Sequence, residues 1–379
     1  MPDENARRAD LDNLSRLLRE NREALVGAIR QDYGQRSSFE TLFTEFFVVL
    51  DEIHHTRKHL RRWMKPQRRK VDWLLYPGAR NRVIPQPLGV VGVIVPWNFP
   101  LLLSFGPLVA IFAAGNRAMV KMSENSRHLA RLLCEITPKY FSPEKLCCFE
   151  DDGQGQLGPA FSALPFDHMI FTGSGRTGRA VMACAAQNLT PVTLELGGKS
   201  PAIVAPDYPI QTAAERILWA KLLNAGQICA TVDTLYLPED KVEPFVKAAQ
   251  QLVAARQPDI HGPDVTAIIN EHACQRLLGL LDDARGKGAR LINLAPGQSP
   301  DLLHRKLPPH LVLDVTDDMQ IMQQEIFGPL LPIRTYRQPQ QAIDDINRRD
   351  RPLALYLFTH DPSFKSLCLA GILSGGVSI

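Results

Sequence analysis

The sequence of 379 residues carries little net charge and no long apolar run. Its 43 Lys and Arg residues against 40 Asp and Glu residues give a net charge of +3, which is too small and too dispersed to indicate a nucleic-acid partner. The longest apolar segment, LLLSFGPLVAIFAAG (101–115), is shorter than a bilayer span and contains a proline. The polar N-terminus lacks the apolar core of a signal peptide. We therefore expect a globular protein without a membrane span.

Cysteines are also few, and their spacing indicates neither disulfide bonds nor a metal site. The seven cysteines are an odd number and show no Cys-x-x-Cys or disulfide-framework spacing. Such a set is typical of reduced thiols in a cytoplasmic protein. Because no pair of cysteines has zinc-ligand spacing, we expect no metal site.

The length and the order of elements predict two α/β domains. A chain of this length exceeds the usual size of one hydrophobic core. After helices at 6–30 and about 39–62, buried strands such as VVGVIV (90–95) alternate with helices, which predicts a parallel, doubly wound sheet. We place a cofactor domain at 1–197, with short exposed strands at 76–89, and a second α/β domain at 198–379. The chain ends on an apolar, strand-like run, GILSGGVSI, from which we expect the second domain to be truncated.

A glycine-rich turn lies between a strand and a helix at DHMIFTGSGRTGRAV. Gly173, Ser174, Gly175 and Gly178 form a G-x-G-x-x-G pattern, in which glycines let the backbone approach a pyrophosphate at the helix N-terminus. A glycine-rich turn without a ligand is the alternative. The general fingerprint would assign Glu195, downstream, to the adenosine ribose.

Two polar residues stand in otherwise apolar stretches. Asn98, in VPWNFP (95–100), follows the first buried strand and could donate its amide to an oxyanion, although asparagine also simply forms turns. Glu195, in VTLELGGKSP, is expected in a buried strand, where burial raises a carboxyl pKa towards values useful to a general base. A buried ion pair is the alternative for Glu195.

Cys229 is surrounded by small and uncharged residues in LLNAGQICATVD (222–233). A lone cysteine is usually a small hydrophobe in a core, and a nucleophile is the alternative. Farther along, MQQEIFGP (322–329) holds Glu325 and Phe327 before a Gly-Pro turn, which by itself indicates only the end of a strand or helix.

Taken together, PWNFP, KMSE, FTGSGRTG, LELGGKSP, NAGQIC and EIFGP resemble the aldehyde dehydrogenase superfamily in order and spacing. The resemblance covers residue 10 to the last residue and is greatest to the class-3-type branch, in particular to its bacterial coniferyl-aldehyde dehydrogenases. It implies a Rossmann-like cofactor domain with an α/β catalytic domain, and the oxidation of an aldehyde to a carboxylic acid. The full-length protein would be a homodimer.

The resemblance assigns catalytic roles to three residues. Cys229 matches the nucleophile that forms a thiohemiacetal and then a thioester. Glu195 matches the general base that activates the deacylating water, which displaces the ribose assignment, and Asn98 matches the oxyanion-hole amide.

The resemblance also assigns cofactor contacts. Lys121 and Glu124 match the residues that hold the adenosine ribose, and the 173–178 turn lies beside the pyrophosphate. Glu325 matches the residue that holds the nicotinamide ribose, with Phe327 near that ring. Because Glu124 would disfavour a 2′-phosphate, we expect NAD rather than NADP as cofactor.

The identity of the aldehyde is not encoded in these motifs. Coniferaldehyde and related aromatic aldehydes are the first expectation, on overall resemblance. A truncated, non-catalytic fragment and a cofactor-independent cysteine esterase are the alternatives.

Overall fold

The computed structural model describes residues 1–151 and 153–379. The chain divides into two compact units. The first contains Met1–Asp32 and Thr41–Glu195, and the second contains Tyr33–Glu40 and Leu196–Ile379. Within the described ranges, no helix has both the length and the apolar character needed to cross a membrane.

Helices and strands alternate along most of the chain. The α-helices are α1 (Glu4–Glu20), α2 (Arg22–Tyr33), α3 (Ser38–Thr41), α4 (Val48–Trp63), α5 (Leu102–Ala113), α6 (Arg127–Ile136), α7 (Leu157–Ser162), α8 (Gly175–Ala186), α9 (Ile210–Leu222), α10 (Val242–Arg256), α11 (Glu271–Gly286), α12 (Gln320–Gln323), α13 (Pro339–Asn347) and α14 (Pro362–Gly371). The strands are β1 (Gln67–Arg69), β2 (Asn81–Val83), β3 (Val90–Ile94), β4 (Arg117–Lys121), β5 (Leu146–Phe149), β6 (His168–Gly173), β7 (Val192–Leu196), β8 (Pro201–Val204), β9 (Thr234–Pro238), β10 (Arg290–Asn293), β11 (His310–Leu313), β12 (Leu330–Tyr336), β13 (Ala354–Phe358) and β14 (Gly376–Ser378).

The N-terminal helix predicted at 6–30 is two helices. Leucines at helical spacing, including Leu11, Leu14 and Leu18, bury one face of α1 completely. The helix ends at Asn21, whose side-chain amide donates to the carbonyl of Leu17 at 2.8 Å. A side chain that binds the backbone locally competes with the helical hydrogen bonds, so asparagine favours such a break.

A five-stranded sheet forms the centre of the first unit, in the order β5-β4-β3-β6-β7. The pairs β3–β4, β3–β6 and β4–β5 are parallel. Val91, Val93 and Ile94 are buried, as expected of a strand covered on both faces. The order reverses beside β3, and ligands bind in such sheets beyond the carboxyl ends of the strands at this point.

A seven-stranded sheet forms the centre of the second unit, in the order β10-β11-β12-β9-β8-β13-β14. Only β10 pairs antiparallel with its neighbour among these described strands. Its core includes Val204, Leu235 and Ile333 from strands, and Ile217 and Phe245 from helices. The predicted α/β architecture, with a doubly wound sheet in the first part of the chain, is confirmed.

Gly92 is a position in β3 where the fold requires glycine. A Cβ at Gly92 would lie 2.7 Å from ring atoms of Phe166, which is itself buried and packed against Phe161. We expect Gly92→Ala to lower the free energy of unfolding by about 1–3 kcal/mol, because the ring must shift. The measurement is urea unfolding followed by circular dichroism.

The matched control is Gly279→Ala on the exposed side of α11, where no described atom lies within 4 Å of the added Cβ. It should raise stability by about 0.5–1 kcal/mol, since alanine loses less backbone entropy in a helix. Equal unfolding midpoints for the two variants would contradict the packing argument for Gly92.

Candidate active site

Cys229 follows a short run of left-handed backbone. After α9, the φ angles of Asn224, Ala225 and Gly226 are 51°, 53° and 72°. Non-glycine residues in this region cost about 1–3 kcal/mol each and persist where the surroundings hold them. Cys229 lies in the turn that follows and is partly exposed, whereas Cys274 and Cys368 are fully buried. Its exposure does not support the interpretation of Cys229 as a core residue.

Buried hydrogen bonds hold this loop in place. The Asn224 N–H donates to Glu40 Oε1 at 3.0 Å, and the Asn224 side-chain amide donates to the Gln227 carbonyl at 3.1 Å. The Gln227 amide donates to the carbonyls of Asn224 at 2.9 Å and Ala267 at 3.0 Å, and its oxygen accepts the Ile269 N–H at 2.9 Å. The sequence does not indicate the roles of Asn224, Gln227 and Glu40, because most of their partners are distant in sequence.

Glu325 lies against the backbone of the Gly197-Gly198 pair. A Cβ at Gly197 would be 2.1 Å from Glu325 Oε1, so only glycine leaves room for the carboxylate. The Gly198 N–H donates to this carboxylate, yet burial, together with the nearby charge of Asp233, raises the pKa of Glu325 to about 7. Phe327 follows with φ at 50°, which turns the chain into Gly328.

The Cys229 loop and the Glu325 segment approach each other at two glycines. A Cβ at Gly226 would lie 2.3 Å from the carbonyl oxygen of Gly328, and a Cβ at Gly328 would lie 2.4 Å from Leu277. Neither position has room for a side chain. The second unit therefore joins the candidate nucleophile and the candidate ribose-binding residue through close backbone contact.

Asn98 lies in the bend after β3 and is 3% exposed. The helix that follows begins at a buried carboxylate, because Glu45 Oε2 accepts the N–H groups of Leu101 at 2.7 Å and Leu102 at 3.1 Å. Glu45 belongs to a π-helical segment, Leu42–Phe47. A carboxylate at a helix N-terminus is favoured by the helix dipole, so Glu45 fixes the start of α5 and with it the Asn98 bend.

The glycine-rich turn follows β6, the strand paired with β3. Ser174 caps α8, since its hydroxyl accepts the Thr177 N–H at 3.3 Å. A Cβ at Gly173 would lie 2.7 Å from the Phe171 ring, whereas at Gly175 it would meet only the tip of Arg179 at 3.7 Å. The approach to Gly175 is thus open, which suits an anion at the helix N-terminus. Gly178 is buried in the first turn of α8.

Lys121 and Glu124 lie at the end of β4 on the other side of β3. The Lys121 ammonium is buried and pairs with Asp151 Oδ2 at 2.5 Å. An ammonium has three donors, so this pair leaves capacity for a hydroxyl group. Glu124 is exposed and accepts hydrogen bonds from Ser123 and Asn125. These residues fit a ribose, whose hydroxyls need both a donor and an acceptor.

The prediction that Glu195 is buried is wrong. Glu195 lies in β7, where Val192, Leu194 and Leu196 are partly buried and Thr193 and Glu195 are exposed. Because β7 is the last strand of its sheet, it is covered less fully than β3. The alternation of apolar and polar residues in VTLEL signals such a half-buried strand. The same exposure excludes a buried ion pair at Glu195.

Comparison with known proteins gives the family. The Aldehyde dehydrogenase family matches residues 3–379. The chain is 48% identical over 381 residues to the probable coniferyl aldehyde dehydrogenase of Pseudomonas aeruginosa, covering 100% of this chain and 78% of that protein. It is 45% identical over 372 residues to the coniferyl aldehyde dehydrogenase of a Pseudomonas species, covering 97% and 76%. It is 36% identical over 372 residues to aldehyde dehydrogenase family 3 member B2 of Mus musculus, covering 98% and 75%.

Solved structures agree with the sequence comparison. The substrate-bound AldH of Staphylococcus aureus superimposes with a TM-score of 0.93 at 33% identity, covering 100% of this chain and 81% of that one. A Mycobacterium tuberculosis aldehyde dehydrogenase with NAD+ superimposes with a TM-score of 0.84 at 26% identity, covering 98% of this chain and 76% of that one. An NADP-dependent glyceraldehyde-3-phosphate dehydrogenase of Bacillus halodurans with NADP superimposes with a TM-score of 0.88 at 26% identity, covering 100% of this chain and 79% of that one.

The family that the motifs resemble is thereby confirmed. The match extends over nearly the whole chain, and both the glycine-rich turn after β6 and the Cys229 loop lie within it. The chain belongs to the aldehyde dehydrogenase family and is an oxidoreductase that acts on the aldehyde group.

Proposed function

We propose that this chain oxidises an aldehyde to a carboxylic acid through a thiohemiacetal and a thioester on Cys229. The observation that carries this proposal is the Cys229 loop, in which a partly exposed thiol follows a left-handed turn that buried hydrogen bonds hold. A thiolate is a strong nucleophile towards a carbonyl carbon. An aldehyde has no leaving group, so oxidation must precede hydrolysis.

In the first step, the Cys229 thiolate adds to the aldehyde carbon and the carbonyl oxygen becomes an oxyanion. The Asn98 amide donates a hydrogen bond to this oxyanion. Such a donor, held in place before the reaction, typically lowers the barrier by about 2.7–4 kcal/mol. The fixed start of α5 at Glu45 supports this role, because it limits movement of the Asn98 bend.

In the second step, the thiohemiacetal becomes a thioester and water then hydrolyses it. A bound nicotinamide would supply the acceptor for the hydride that leaves the aldehyde carbon. Glu195 takes a proton from the attacking water, and Cys229 leaves as a thiolate while the carboxylic acid is released. The exposure of Glu195 on β7 supports this role, since the residue must reach solvent water.

The first unit would bind the cofactor and the second would provide the nucleophile. Lys121 and Glu124 would hold the adenosine ribose, the 173–178 turn would lie at the pyrophosphate, and Glu325 would accept hydrogen bonds from the nicotinamide ribose, with Phe327 beside the ring. The relatives solved with NAD+ and with NADP support a nicotinamide dinucleotide as cofactor. Between the two, the exposed carboxylate of Glu124 favours NAD.

An aromatic aldehyde such as coniferaldehyde is the proposed substrate, supported by the names of two bacterial relatives.

A homodimer would form through the 76–89 stretch, where β2 and several large apolar side chains are exposed. The seven cysteines, all within the described residues, form no disulfide, which supports a cytoplasmic location.

Thiol reactivity tests the nucleophile without a cofactor. Burial raises the pKa of Cys148 to about 12 and that of Cys368 to about 11. At pH 8 their thiolate fractions are then on the order of 10⁻⁴ and 10⁻³, and the thiolate is the reactive form. We expect iodoacetamide to modify Cys229 well before these two thiols. The modification of each cysteine is measured by peptide mass spectrometry, with Cys229→Ala as control. Modification of Cys148 as fast as Cys229 would contradict the assignment.

The three catalytic roles predict three different kinetic losses with an aromatic aldehyde and NAD. Cys229→Ala should lower the rate of NADH formation by about 10³-fold or more. Asn98→Ala should lower kcat about 10²–10³-fold. Glu195→Gln should slow hydrolysis about 10²–10⁴-fold, so that acyl-enzyme accumulates and is seen by intact mass. Ester hydrolysis without cofactor, combined with no NADH formation from any aldehyde, would instead favour the esterase.

Cofactor preference tests Glu124. We expect kcat/KM to be at least about tenfold higher with NAD than with NADP, because the carboxylate repels a 2′-phosphate. Glu124→Gln should reduce this ratio about tenfold, with little change in the KM for the aldehyde. A wild-type preference for NADP would show the assignment to be wrong.

A further inference from the structure

The segment that carries Glu325 is held by an ion pair behind it. Lys199 and Asp233 form a short charge-assisted hydrogen bond. The same Lys199 ammonium donates to the carbonyl of Ile321 at 2.7 Å and to that of Gln324 at 3.1 Å. An ammonium has three donors, and these three acceptors use all of them. Lys199 therefore acts on the segment and not directly on a ligand.

Asp233 and Arg276 complete the attachment. Asp233, only 1% exposed, accepts the Ile326 N–H through Oδ2 at 2.8 Å. The Arg276 guanidinium donates to the carbonyls of Glu325 at 3.3 Å and Ile326 at 2.5 Å. The backbone on both sides of the Glu325 side chain is thus bound by charged groups, which make stronger hydrogen bonds than neutral ones.

Several charges act on the Glu325 carboxylate. Lys199 from the loop after β7 and Arg276 from α11 favour its ionised form, and Asp233 from the loop before β9 opposes it. Lys221, on α9, is 1% exposed, and its ammonium has no hydrogen-bond partner among the described residues. One Glu325 oxygen likewise has no partner there, so this carboxylate retains an acceptor for a ligand hydroxyl.

We propose that Lys199, held by Asp233, is the positioning residue that fixes Glu325 to receive the nicotinamide ribose hydroxyls. This inference rests on the proposed function, in which Glu325 binds that ribose. Gly197 leaves the space for the carboxylate, and Lys199, two residues later, holds the segment that carries it. Residues 197–199 therefore both leave space for the Glu325 side chain and bind the backbone of the segment that carries it.

The test is a titration of the full chain with NADH, in which binding is measured by nicotinamide fluorescence at several pH values. The variants are Lys199→Met, Glu325→Gln and the double variant, with Lys247→Met, an exposed lysine of α10, as matched control. We expect each single variant to weaken binding about tenfold and the double variant to bind no more weakly than Glu325→Gln, because residues that act through one another are not additive. Lys247→Met should bind like the wild type.

The pH profile gives a readout that a purely structural lysine would not move. The ionised Glu325 accepts the ribose hydroxyls, and its pKa is about 7, so wild-type binding should weaken as pH falls through about 7. Removing the Lys199 charge raises the pKa of Glu325, so the midpoint for Lys199→Met should move to higher pH. Glu325→Gln should lose this transition.

The outcomes separate the two proposals. Additive losses in the double variant, an unshifted pH midpoint, or unchanged binding by Lys199→Met would overturn the role of Lys199 alone. Unchanged binding by Glu325→Gln would show the proposed role of Glu325 itself to be wrong, and this inference with it. Should Lys199→Met fail to fold, Asp233→Asn removes the ion pair at constant volume. Measured well above pH 7, where Glu325 is ionised with or without the Asp233 charge, this variant must weaken NADH binding for the proposal to stand.

Discussion

The close approach of Gly226 to the carbonyl of Gly328 is the constraint on which the second unit's functional geometry depends. A single methyl group at Gly226 would lie 2.3 Å from that oxygen, a distance at which backbone must move. The left-handed φ of Gly226 adds a second reason for glycine. Because these two positions lack side chains, the loop of Cys229 and the segment of Glu325 are held as one assembly. The contact between the two segments is made by backbone, which yields less readily than a side chain.

Charged side chains stabilise this assembly by binding backbone groups. Lys199 and Arg276 donate to carbonyls of the Glu325 segment, and Arg349 donates to the carbonyl of Met322 at 2.7 Å. A buried charge is costly unless it is paired and hydrogen-bonded. Here the carbonyls and Asp233 provide those partners, and the residues that follow α12, 324–328, gain a defined conformation without regular secondary structure.

In the first unit, the order of strands determines where the oxyanion-hole and cofactor-binding candidates lie. Asn98 follows β3, the 173–178 turn begins at the last residue of β6, and Lys121 is the last residue of β4. These three strands are neighbours in the sheet. These groups therefore lie at one edge of the sheet, although Asn98 and Lys121 are 23 positions apart in the sequence. The last strand of the same sheet carries Glu195, and its position at the end of the order explains why this carboxylate is exposed.

The sequence by itself determined the alternation of strands and helices, the parallel sheet of the first unit and the positions of the glycine-rich turns. These features depend on local patterns of apolar residues and on conformations that only glycine adopts readily. The tertiary structure alone decided the partners of Glu40, Glu45, Lys199 and Asp233, because each binds backbone groups tens to nearly two hundred residues away. No local pattern indicates such partners. The exposure of Glu195 depends on both levels. The alternation in VTLEL specifies that Glu195 lies on the polar face of its strand, but only the position of β7 at the end of the sheet leaves that face uncovered.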